Sequence, residues 1–378
     1  MSAPLPFLIV GAGKVGLLLG CLLAGAGREV LVLERTQAPT GTRSIGVHPP
    51  ALEALAQAGV AAEFVERGRR IERARLFVDD HRIGDFSLGS CPAPYRFVLT
   101  LPQHLTERVL ERRLCELQQG ALRRGEEVVG VKRSGEAIEV RLASGESLRT
   151  GFLVGADGRS SRVRAELGVP VAGGSTGDHY LMADLPDDGA LAGDAAIFLT
   201  RTGVVESFPL PDAQRRWVAR LPRRPEGASV GELMALVAER TGLEPALPAE
   251  SGAARAQQSA ASLFTAERRL AGRFAGAGWA LAGDAAHVVS PIGGQGMNLG
   301  LLGALHLYLS LTAPGGPRLE SYARGQLERA RRAARRASLN MLLGREGIPR
   351  PLRAAALRAV LAPGVQPRMA RFYTMRGV

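Results

Sequence analysis

Cysteine is scarce. Cys21, Cys91 and Cys115 are the only three in 378 residues, widely spaced and without a Cys-x-x-Cys pair. That argues against a disulfide framework or a thiolate metal site, and suits reduced packing residues in the cytoplasm. Lysine is nearly missing: only Lys14 and Lys132 occur among 48 basic residues. No apolar run reaches the ~18 residues of a membrane-spanning helix without a glycine-rich interruption. The chain opens without a charged segment before its first apolar strand, so no signal peptide is expected. Also lacking are a Ser/His/Asp arrangement, a metal-ligand cluster, an internal repeat and a low-complexity linker.

What is present is mostly apolar and arginine-rich. Apolar residues make up 46% of the chain, as in a globular protein with a large core. The net charge is +12, and nearly all of it falls between Arg318 and Val378, with fourteen Arg, three Glu and no Lys. Such a tail suits a solvated helix, steering of an anionic cofactor, or contact with a membrane surface. No aromatic interleaving or recognised motif supports nucleic-acid binding.

Three motifs carry chemistry. Pro6–Val10 has the pattern of a buried strand, followed by Gly11-Ala12-Gly13-Lys14-Val15-Gly16 and an apolar helix. A second strand, Glu29–Leu33, ends at Glu34 and Arg35. This is the dinucleotide fingerprint in its required context. Gly11 allows the tight turn, Gly13 admits a pyrophosphate and Gly16 lets helix and strand pack closely. Glu34 can accept a hydrogen bond from a ribose hydroxyl, and it would repel a 2′-phosphate there. The second motif, Asp157-Gly158-Arg159-Ser160-Ser161-Arg162-Val163-Arg164, follows another buried strand and opens a Ser-capped helix. The third is Gly283-Asp284-Ala285-Ala286-His287, continuing through Pro291, Gly293, Gly294 and Gly296 to Met297-Asn298. A helix starting near Gly296 presents free N–H groups and a positive dipole end. Asp284 at a strand end can accept from ligand hydroxyls.

In this order and spacing the three motifs resemble those of the FAD-dependent aromatic hydroxylases, the p-hydroxybenzoate hydroxylase-like single-component flavoprotein monooxygenases. The resemblance spans about residues 5–345. It implies an α/β fold: a Rossmann-like FAD-binding domain with an interleaved antiparallel-sheet substrate domain and a C-terminal helical segment. The expected boundaries are 1–70, 100–171 and 272–315 for FAD binding, 71–99 and 172–271 for the substrate domain, and 316–378 for the Arg-rich segment. Strand-like runs at 178–185, 195–201, 203–209 and 215–221 fit the second of these. Helices are expected near 230–241, 319–343 and 351–361, with coil at the end.

The resemblance also implies FAD, NADH or NADPH as transient reductant, and O₂. A flavin C4a-hydroperoxide would pass one oxygen to an aromatic or polycyclic small molecule. By motif, FAD contacts fall to Gly11, Gly13, Val15, Gly16, Glu34, Arg35, Asp157, Asp284, Pro291, Gly294, Gly296, Met297 and Asn298. Arg43 and Gln103 match the family's Arg and Gln that reach the cofactor. His48, His179, Tyr180 and His287 are candidate pocket or acid/base residues. No metal is expected. The family's usual acid after the third motif is replaced by Gly303. Two other readings stay open: a same-fold flavoprotein that dehydrogenates, reduces or epoxidises a quinone-like or isoprenoid substrate, and a non-enzymatic flavin-binding scaffold. The residues leave the oligomeric state open.

Overall fold

The computed structural model describes residues 6–39, 44–246, 261–290, 293–343 and 347–376. Its first sheet has six strands around Phe7–Val10, an apolar run buried on both faces. That strand pairs in parallel with Val30–Glu34 on one side and Phe152–Gly155 on the other. Leu122–Arg124 and Trp279–Leu281 extend the sheet outward in parallel, and Ala275–Gly276 closes one edge antiparallel. Parallel strands need covered faces, so their near-continuous apolar runs follow from the architecture. Helices Lys14–Gly25, Gln103–Leu117 and Gln295–Leu311 pack together beside this sheet. A three-stranded meander, Val128–Ser134, Ala137–Leu142 and Ser147–Thr150, lies next to it.

The second large sheet has eight strands and is antiparallel but for one pairing. In order they are His287–Val288, Ser262–Ala271, Val171–Pro186, Gln214–Leu221, Gly203–Leu210, Ala195–Thr200, Arg73–Val78 and His81–Ser87. Side chains alternate between its faces. Leu181, Val205, Trp217 and Ala219 pack on one face with helix Val230–Thr241. Met182, Val204, Val218 and Leu76 lie on the other with the C-terminal residues Ala354, Leu357 and Ala370.

Two elements differ from the expectation. The strand expected from 178 begins at Val171, because its first half pairs with Ser262–Ala271. That partner carries three consecutive charged residues, Glu267, Arg268 and Arg269, which break the alternation of a strand and leave a weak signal. The expected terminal coil contains helix Gln366–Tyr373. Its Met369, Ala370 and Tyr373 pack onto the same core as strands Arg73–Val78 and His81–Ser87, which supplies what local sequence does not. Among the described residues no helix is long and apolar enough to cross a membrane.

Candidate functional site

The first glycine loop is fixed by backbone contact. Gly11 has φ +109°, and a Cβ there would lie 2.4 Å from the Ala156 carbonyl oxygen. A Cβ on Gly16 would lie 2.0 Å from the Gly11 carbonyl oxygen, so the helix can start only with glycine at that position. Around Gly13 nothing lies within 4 Å of a Cβ. Its freedom is not needed for protein packing; it keeps open the space in front of the N-terminus of helix Lys14–Gly25. Val15 packs its side chain against the Cβ positions of Gly283 and Gly300, which joins the first loop to the third motif.

Glu34 ends the second strand and braces the loop. Its Oε2 accepts from the Ala12 N–H at 2.9 Å, and its Oε1 accepts from the Thr36 N–H and hydroxyl at 3.0 Å. Arg35 is exposed. Gln103 donates to Glu107 Oε1 at 2.8 Å. Lys14, which the sequence did not single out, is buried, with Glu107 and Asp284 acting on it electrostatically. Burial pushes its ammonium down to about 8, against the pull of those two carboxylates. Burial also raises Glu107 and Asp284, which Lys14 counteracts.

The second motif works as a clamp. Asp157 accepts from Ser161 Oγ at 2.5 Å and from the Val163 N–H at 3.0 Å, so both carboxylate oxygens serve the turn. Arg164 donates to the Ala285 carbonyl at 2.9 Å and thereby ties this motif to the third.

In the third motif Asp284 sits on a 3-10 turn, Gly283–Ala285. Helix Gln295–Leu311 is entered through Gly294 at φ +65°. Asn298 spends its side chain on the protein: Nδ2 donates to the Gly46 and Gly294 carbonyls, and Oδ1 accepts from the His48 N–H. Only its backbone is left to meet a ligand. Gly294, Gly296 and Met297 line a large cavity together with Asp284 and Arg159. Arg43 and Pro291 lie outside the described residues.

That cavity has a volume of about 530 Å³ and a mainly apolar wall. Its floor is the third-motif loop. Its walls are the inner face of the eight-stranded sheet, including Leu76, Met182, Ile197 and Phe208, and its far side carries Leu357, Val360 and Tyr373 of the C-terminal segment. His48 lines it, whereas His179, Tyr180 and His287 do not. His179 meets Thr265 Oγ1, Tyr180 stacks on Phe264, and His287 meets Gln326. Burial pushes both His48 and His287 down to about 4, so both imidazoles are neutral at ordinary pH. Glu206 also lines the cavity and was likewise missed. Its signal was a single acid within the apolar strand Gly203–Leu210. Among the described residues no cluster of His, Cys, Asp or Glu could hold a metal ion.

A glycine loop at one helix start, a second at another, and an apolar cavity over the second together describe a site for a long, two-ended cofactor. The FAD binding domain family matches residues 5–337. The chain belongs to that family. It is 32% identical to 6-methylpretetramide 4-monooxygenase of Streptomyces rimosus over 79% of this chain and 54% of that protein. Among solved structures, p-nitrophenol 4-monooxygenase from Pseudomonas putida DLL-E4 superposes with a TM-score of 0.86 at 22% identity, covering 100% of this chain and 99% of that one. A Diels-Alderase from pyrroindomycin biosynthesis superposes with a TM-score of 0.78 at 27% identity, covering 98% of this chain and 80% of that one. The chain spans 54%, 61% and 63% of three curated relatives' own lengths.

The loops fit FAD. The open space at Gly13 faces a helix N-terminus, where a diphosphate is favoured, and the next residue in the chain, Lys14, is a buried amine. The second helix start opens onto a cavity large enough for a flat ring system.

Proposed function

We propose that the protein is an FAD-dependent, NAD(P)H-using monooxygenase that hydroxylates an aromatic or polycyclic small molecule. The observation that carries this reading is the shared cavity: one apolar chamber reaches from the Gly293–Met297 loop to the inner face of the sheet. When bound, FAD supplies the redox chemistry, taking a hydride from NADH or NADPH and delivering one atom of O₂. The chain's own residues do the rest. Gly11–Gly16, Lys14 and Glu34 would hold the AMP and diphosphate end. Asp284 would accept from the polyol chain. The N–H groups of Gly296, Met297 and Asn298 would meet the ring edge that gains negative charge on reduction, aided by the helix dipole. The apolar wall would exclude water and press an aromatic ring over the loop. Glu34 would repel the 2′-phosphate of NADPH at this nucleotide site.

The three free cysteines suit a reducing, cytoplasmic setting. The Arg-rich segment would offer basic side chains to a membrane surface, though the apolar residues of helix Leu319–Leu343 are spent on the core of the first sheet and those of the last two helices on the core beside the cavity.

The test is to load purified protein with FAD and screen aromatic and quinone compounds for stimulated oxidation of NADH or NADPH. Product mass decides: a gain of one oxygen supports hydroxylation, and a loss of two hydrogens would replace it with dehydrogenation. A second reading has its own basis. One relative, 31% identical over 81% of this chain, is named dialkyldecalin synthase, and the superposing Diels-Alderase is named for ring formation. Conversion of a polyene without net consumption of NAD(P)H would favour that reading.

A further inference from the structure

Five charged side chains line the cavity: Arg159, Glu206, Arg216, Glu267 and Asp284. Three are already engaged. Arg216 forms a two-pronged pair with Asp184, at 2.6 and 2.7 Å. Arg159 pairs with Glu267 at 3.4 Å. Asp284 stands at the cofactor end, within the fields of Lys14 and Arg159. Glu206 is different. It lies mid-strand in the sheet wall, flanked by Ile197 and Val218 on the neighbouring strands. It is 8% exposed and makes no side-chain hydrogen bond or ion pair among the described residues. The neutral polar groups are largely spent as well: the Thr100 hydroxyl donates to Pro209 and that of Thr374 to Ala370. A buried carboxyl without a partner is costly in the folded protein, and facing a chamber it is normally answered by a ligand.

We propose that Glu206 selects the substrate: it accepts a hydrogen bond from a phenolic hydroxyl on an uncharged aromatic ring and rejects rings that carry a carboxylate. The proposal rests on the aromatic-substrate reading above. On the strands flanking Glu206 the arginines are paired, Arg215 with Asp187, Arg216 with Asp184 and Arg220 with Asp178, and Arg159 shares Glu267 with Arg269, while His48 is uncharged, so the sheet wall around Glu206 offers no unpaired cation to an anionic substrate. Two anions in one apolar chamber repel strongly, whereas a phenol completes the carboxylate. Burial alone pushes Glu206 up to about 7. From the C-terminal helices the facing groups are Leu357, Val360 and Tyr373, and Tyr373 is itself held neutral by burial. Rejection of carboxylates should therefore weaken as pH falls through about 7 and Glu206 takes up a proton.

The experiment compares two probes of similar size, 2-naphthol and 2-naphthoate, on FAD-loaded protein. Binding is read by probe fluorescence and by the shift of the flavin bands. Wild-type protein should bind 2-naphthol at least about tenfold more tightly than 2-naphthoate. Glu206→Leu should weaken 2-naphthol by about tenfold, because the apolar wall then has no acceptor for the hydroxyl. Glu206→Gln keeps an acceptor oxygen without the charge. It should hold 2-naphthol, admit 2-naphthoate and remove the pH dependence of naphthoate binding. Equal binding of both probes by wild type, no binding of either, or 2-naphthol binding indifferent to Glu206→Leu would each overturn the proposal. NAD(P)H oxidation is read on the same samples. Loss of that activity with the selectivity intact would remove the monooxygenase reading alone. Oxygenation without dependence on Glu206 would remove the selection alone.

Discussion

Gln326 occupies the space that a side chain at position 303 would need. A Cβ on Gly303 would lie 2.7 Å from Gln326 Nε2. That amide is fully buried, donates to the Leu299 carbonyl at 3.1 Å and meets His287 Nε2 at 3.0 Å. Gly303 is therefore matched by a glutamine from the next long helix, Leu319–Leu343. Behind the third-motif loop the two residues form one packing unit, and His287 belongs to it rather than to the cavity.

This pairing predicts non-additive stability. Gly303→Ala alone gains about 1 kcal/mol of helix propensity. It also pushes Gln326 off its partners, at about 1–3 kcal/mol. The single variant should lower the unfolding midpoint. In a Gln326→Ala background the same change should be neutral or stabilising. Denaturant unfolding of the four proteins measures the coupling; additive effects would mean that Gln326 moves aside freely.

Glu34 braces the first loop through Ala12 and Thr36, and the dinucleotide fingerprint assigns it a ribose hydroxyl. Glu34→Ala should weaken FAD about tenfold or more, since charge-assisted bonds to two groups are lost. Glu34→Gln keeps one acceptor and should fall between. Equilibrium dialysis with FAD gives the order directly. Unchanged affinity in the alanine variant would confine Glu34 to its bonds with Ala12 and Thr36.

Much of this was legible in the chain because backbone constraints write themselves into residue identity. Gly11 and Gly16 are glycine because carbonyl oxygens stand where a Cβ would go. Asp157 and Arg164 keep their spacing because one caps a helix and the other reaches Ala285. Cavity residues lack such a mark. Glu206 differs from a surface acid only in what the sheet places around it, and the strands beside it come from residues 195–200 and 214–221. Lys14 looks like a spacer within a glycine motif until Glu107 and Asp284 are seen beside it. Helix Gln366–Tyr373 exists through its contact with strands nearly 300 residues earlier, which no local pattern reports.

Lys14 predicts a pH dependence of FAD affinity. Its ammonium is held at about 8 by burial in the absence of the diphosphate. The diphosphate favours the charged form and raises that value in the complex. Affinity should therefore be highest below about 8 and fall as pH rises beyond it, where binding must first charge the amine. Lys14→Met should bind FAD more weakly at low pH and flatten this part of the profile. Profiles of equal shape in both proteins would show that the amine does not face the diphosphate.

The start of helix Gln295–Leu311 is the last element open to test. Its first N–H groups have no partner within the helix, and the dipole adds about half a positive charge at that end. Hydride transfer leaves negative charge on one edge of the reduced ring, so these groups favour the reduced state over the neutral oxidised one. A Cβ on Gly296 would lie 3.2 Å from Val289 Cγ2, and a valine would have further atoms to place in that gap. Gly296→Val should displace the loop, lower the flavin reduction potential and slow reduction by NAD(P)H. FAD should be retained in part, because the Gly11–Gly16 loop is untouched. Redox titration and stopped-flow reduction of the reconstituted variant check both effects. A folded, FAD-loaded variant with wild-type potential and wild-type reduction rate would place the ring edge away from residues 294–298.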